Sequence, residues 1–75
     1  MNIKQVVGDN IRLIRHKRSM TLDDLSIITK MSRTYINDVE LCKNAVTIVR
    51  LEKIAKALDV LPALLLTPNG YRTLD

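Results

Sequence analysis

This chain has little with which to make a disulfide, a turn-rich sheet or an aromatic core. Its 75 residues include one cysteine, two glycines, two prolines and two tyrosines, and no phenylalanine or tryptophan. A lone Cys42 excludes an intramolecular disulfide, and with a single histidine, His16, it leaves no zinc-ligand set. Such cysteine usage fits a reducing compartment, so the expected location is the cytoplasm. The scarcity of glycine and proline argues against a β fold with many turns and for helices. No run approaches the ~20 apolar residues of a membrane span, and the N-terminal MNIKQVVGDN lacks the apolar core and cleavage pattern of a signal peptide. Nothing supports catalysis, because no base and orienting group can be identified around Cys42. Neither a metal, a cofactor nor a membrane partner is expected.

What is present is aliphatic and basic. Apolar residues make up 47% of the chain, so the core must be built from Ile, Leu, Val and Met. The length predicts a single domain over 1–75, with its packed part at about 3–66 and a tail over 67–75. A core this small is marginal, and a partner that buries more surface would help it. Twelve Lys and Arg against eight acids give +4, a modest excess that fits a polyanionic partner.

Apolar spacing predicts five helices. Ile3, Val7, Ile11 and Ile14 form one stripe of a first helix over Ile3–Lys17. Basic residues crowd its second half, where they suit the negative end of the helix dipole; Lys17 and Arg18 are the candidate phosphate ligands among them. Met20 precedes Thr21 as a hydrophobic staple, and Thr21 caps a second helix over Leu22–Thr29 with Asp23 and Asp24 in its first turn. After a turn at Lys30 and Met31, Ser32 caps a third helix over Arg33–Leu41. Thr47 caps a fourth over Ile48–Leu58, with Ile48, Leu51, Ile54, Ala55 and Leu58 as its buried stripe. Asp59 suits a left-handed stop. Leu61–Leu66 reads as a short fifth helix with Pro62 in its first turn, broken by Thr67-Pro68-Asn69-Gly70.

The stretch Thr21–Leu41 organises the rest. Leu25, Met31, Ile36 and Val39 can face one core, leaving Arg33, Thr34 and Asn37 on the outer face of the third helix. A short helix with a buried rear and a hydrogen-bonding front is what enters a DNA major groove, so the unit reads as a helix-turn-helix. Arg33 suits guanine O6 and N7, Thr34 the thymine methyl, and Asn37 adenine. Thr21 and Ser32, at helix N-termini, and Tyr35, at the domain edge, are candidate phosphate contacts. The plainer reading of each is a solvated polar side chain. Leu61, Leu64, Leu65 and Leu66 are more than one face of a short helix can bury, and they are the candidate homodimer interface; the plainer reading is that they close the monomer core.

The ordered set VGDNIRLIRHKR, MTLDDLS, MSRTYINDVE and TIVRLEKIAKALDV resembles the helix-turn-helix family of phage repressors and Cro proteins. Within it, RTYINDVE followed by an asparagine and TI-x-x-LEKIAKAL most resembles the controller proteins of restriction–modification systems. The resemblance implies an all-α, compact five-helix, lambda-repressor-like domain of bacterial or phage origin. It implies a transcriptional regulator that binds a palindromic operator as a homodimer, needs no small-molecule ligand, and blocks or recruits RNA polymerase. It adds Asp38 as a base-contacting position, Lys43 and Asn44 as phosphate contacts, and Arg15 with Glu40 as a structural ion pair. An antitoxin-type or phage regulator of the same fold is the alternative, as is a module that binds protein and does not read DNA. The chain departs from the family where Leu22 replaces a phosphate-binding glutamine, and where Ser19, Lys30 and Cys42 replace glycines. Leu22, Ile27 and Ile28 stand at places that are mostly polar; the plainer reading is scattered exposed apolar residues, and the sharper one a surface for a partner or an extra core contact with the tail.

Overall fold

The computed structural model describes residues 1–74. Helices α1 (Ile3–Lys17), α2 (Leu22–Thr29), α3 (Arg33–Glu40), α4 (Ile48–Ala57) and α5 (Pro62–Leu65) follow in order, then a 3₁₀ turn over Gly70–Leu74. No strand is found among the described residues.

Side chains next to each helix start fix the boundaries, because they satisfy donors the helix leaves orphaned. Thr21 Oγ1 accepts from Asp24 N at 3.0 Å while Thr21 N donates to Asp24 Oδ2 at 2.9 Å, a reciprocal capping box. Ser32 accepts from Tyr35 N at 3.0 Å, and Thr47 from Arg50 N at 3.2 Å. Several exits need a left-handed residue: Ser19, Lys30, Cys42, Asp59 and Asn69 all have φ between 57° and 64°. Ser19, Lys30 and Cys42 are the positions where the resemblance expects glycine, and each holds a side chain there at a cost of ~1–2 kcal/mol.

The core is aliphatic throughout. Val7, Ile11 and Ile14 of α1 meet Leu25, Ile36, Val39, Leu51, Ile54, Ala55, Leu58 and Leu65. Gly8 lets α1 approach the end of α3, since a Cβ there would sit 2.6 Å from the Val39 carbonyl oxygen and 2.9 Å from that of Glu40. Two expected core positions are not core. Ile3 and Ile48 are exposed, because each stands in the first turn of its helix and overhangs the packed ring. With Val46 and Leu66 they line an apolar surface groove instead.

Residues 70–74, in the stretch read as a tail over 67–75, form the 3₁₀ turn and pack on α1 and α5; Asp75 lies outside the described residues. Asn10 Nδ2 donates to the carbonyls of Leu64, Leu65 and Thr67 at 3.3, 3.0 and 2.8 Å, and Asn10 Oδ1 accepts from Tyr71 N at 3.0 Å. One buried amide therefore clasps α1 to the end of α5 and to the final turn. Buried Gly70 packs against the Leu64 carbonyl, where a Cβ would collide. The sequence signal was Asn10 itself, a polar residue three positions after Val7, inside the apolar stripe.

Candidate nucleic-acid interface

Helix α3 is held from behind and at its end. Ile36 and Val39 are buried in the core. Arg15 Nε donates to Glu40 Oε2 at 2.8 Å and Arg15 Nη2 to Glu40 Oε1 at 3.0 Å, a bidentate fork. A third donor, Arg15 Nη1, reaches the Met20 carbonyl at 2.9 Å. The two side chains are only 9% and 3% exposed. Arg15 thus binds the end of α1, the approach to α2 and the end of α3 into one unit, fixing the angle at which the front of α3 faces outward.

That front carries the expected residues. Arg33 and Thr34 are exposed, and Asn37 and Asp38 are half-buried one turn later. Positions 33, 34, 37 and 38 share one helix face. Arg33 Nε lies 3.5 Å from Asp23 Oδ1 of α2, with both side chains about two-thirds exposed (64% and 66%). Thr21 and Ser32 are exposed beside their caps. After α3, the left-handed Cys42 turns the chain back, with Lys43 N donating to the Asp38 carbonyl at 2.8 Å. Lys43 and Asn44 are left exposed there.

The other side chains read as phosphate contacts are placed differently. Lys17 and Arg18 are exposed at the end of α1. Arg18 Nε donates to the Leu58 carbonyl at 3.2 Å, so this side chain also fastens α1 to the end of α4. Tyr35 is half-buried, and its hydroxyl has no hydrogen-bond partner among the described residues. Its ring packs under the Arg50 guanidinium, 4.8 Å from the ring centre.

The leucine cluster divides. Leu65 is fully buried and closes the monomer core, while Leu64 is half-buried against it and keeps part of its surface free. Leu61 and Leu66 remain exposed, and Leu66 shares its groove with Ile3 and Ile48. Leu22 is half-buried and packs against the edge of the core. Ile27 and Ile28 are exposed and are not covered by the C-terminal turn, which packs on α1 and α5.

Among the described residues no three His, Cys, Asp or Glu side chains are grouped to hold a metal. No described helix is long and apolar enough to cross a membrane.

Residues 10–69 match the model of the Cro/C1-type helix-turn-helix DNA-binding domain. The chain is 35% identical over 72 residues to control protein C.SmaI of Serratia marcescens, a match covering 96% of this chain and 86% of that one. It is 39% identical over 62 residues to control protein C.BamHI of Bacillus amyloliquefaciens, covering 81% and 76%. Among solved structures it is similar to the restriction–modification controller protein C.Esp1396I, seen as a tetramer in complex with its natural 35 base-pair operator. That likeness has a TM-score of 0.77 at 33% identity and covers 84% of this chain and 83% of the other.

Proposed function

The chain belongs to the Cro/C1-type helix-turn-helix DNA-binding family, and from that premise we propose that it regulates transcription by occupying a twofold operator as a homodimer. The observation that carries the reading is α3, with its rear in the core, its last residue locked by the Arg15 fork and its front presenting Arg33, Thr34, Asn37 and Asp38. Arg33 reads guanine, and Thr34, Asn37 and Asp38 contact neighbouring bases. Thr21, Ser32, Lys17, Arg18, Lys43 and Asn44 hold phosphates, which gives affinity without sequence information. Leu22 supplies no such bond.

The exposed Leu66, which shares a groove with Ile3 and Ile48, and the further exposed Leu61 and Val49 support self-association. Two copies related by a twofold axis would place their α3 helices ~34 Å apart, one turn of DNA. The similarity to control proteins favours a controller of a restriction–modification operon, acting in the cytoplasm. Occupancy would then block or recruit RNA polymerase according to where the operator lies. Its level is set by the protein's own concentration, since dimerisation and operator filling both depend on it.

Selection from a pool of random duplexes tests this. Bound DNA should converge on an inverted repeat with half-sites one turn apart. A pool that stays random, with no retention even at low salt, overturns the reading.

A further inference from the structure

Between the α2–α3 turn and α4 lies an open cleft that the reading surface of α3 does not use. Lys30, Ser32 and Tyr35 stand on one wall and Arg50, Lys53 and Lys56 on the other. No acidic side chain lines it. None of its four cations forms an ion pair among the described residues, and Arg50 is engaged only with the Tyr35 ring. Four unneutralised positive charges around one concavity repel one another. Such a concavity also focuses positive potential, so it is costly alone and favourable with an anion inside.

The shape and spacing say which anion. Arg50, Lys53 and Lys56 recur every third residue on one side of α4, and together they span ~9 Å of helix. Successive phosphates of one strand are farther apart in space than their ~3.4 Å rise along the duplex axis, so this row matches about two of them. Ser32, the cap of α3, is among its lining residues, so the cleft adjoins the start of the helix that would enter the groove. Arg50 lies over the Tyr35 ring, 4.8 Å from its centre, a contact that limits the freedom of a donor fork suited to phosphate oxygens.

We propose that this cleft seats the sugar–phosphate backbone of the bound duplex, with Arg50 and Lys53 as direct phosphate ligands and Lys30 and Lys56 extending the contact. The proposal rests on the DNA-binding reading and adds to it a contact surface on α4. It assigns a role to side chains whose sequence pattern shows only the wet face of a helix. The backbone would then be gripped on both sides of α3, by the end of α1 and the Lys43 connection on one hand and by α4 on the other.

The test is a salt titration of binding to a random 30-base-pair duplex, read by fluorescence anisotropy. The Arg50→Gln/Lys53→Gln/Lys56→Gln variant should lower the slope of log affinity against log salt by about 2 per protomer, at ~0.9 for each phosphate no longer neutralised. It should weaken binding to all sequences alike. A Lys4→Gln/Arg72→Gln control, two exposed charges away from the cleft, should leave the slope near that of the wild type. Equal slopes for the wild type and the triple variant, or a decrease no greater than the control's, overturn the proposal while leaving DNA binding intact. A wild-type protein that binds no duplex at low salt is a different result, and it removes the DNA reading together with the cleft's role.

Discussion

Helix α3 has an arginine–carboxylate pair at each end, and the two pairs do opposite things. At its last residue, Glu40 meets Arg15 in a bidentate fork with both side chains almost wholly buried. At its first, Arg33 meets Asp23 through one long contact with both side chains largely exposed. The chemistry is the same, and burial separates the roles. A buried charge cannot exchange its partner for water, so losing that partner leaves it stranded and α3 unanchored. An exposed pair is screened and worth ~0–1 kcal/mol, so Arg33 can leave Asp23 for a base at little cost. The helix is held rigidly at one end while its reading side chain stays exchangeable at the other.

Three substitutions probe that contrast. The largest effect is expected for Glu40→Gln, which strands the Arg15 guanidinium and should cost ~3–5 kcal/mol in a urea unfolding curve; a cost below ~1 kcal/mol would show that the buried fork does not anchor α3. Next, Arg33→Ala should leave unfolding almost unchanged but relax sequence preference by ~1–3 kcal/mol at one base pair per half-site. Uniform weakening on every sequence would instead make Arg33 a phosphate ligand. The smallest effect is expected for Asp23→Asn, whose stability should stay within ~1 kcal/mol of the parent. A destabilisation as large as that of Glu40→Gln would erase the distinction between the two ends.

How much of this was legible in the sequence follows from the range of the interactions involved. The caps at Thr21, Ser32 and Thr47 were legible because each closes within three residues. So were the left-handed positions at Ser19, Lys30 and Cys42, through family resemblance. The inner stripes of α1 and α4 were legible in their middles but not in their first turns, where Ile3 and Ile48 continue the period past the end of the packed ring. Four leucines near α5 could not be sorted by period, because one turn of helix is too short to define a face. The cleft was invisible for another reason: Lys30 and Arg50 are brought together only by the packing of α2 on α4, which no local pattern encodes. Asn10 was missed. A polar group inside an apolar stripe is the trace of a buried bond, but it does not say to which distant carbonyls.

That asparagine has a consequence for how the chain is made. Its partners lie 54 to 61 positions downstream. On the ribosome, α1 emerges first with its central amide hydrated, and the groups it will bond are synthesised some seconds later at ~5–20 residues per second. The clasp cannot be completed from the N-terminal part alone. It needs Tyr71, so this contact is among the last that the chain can make.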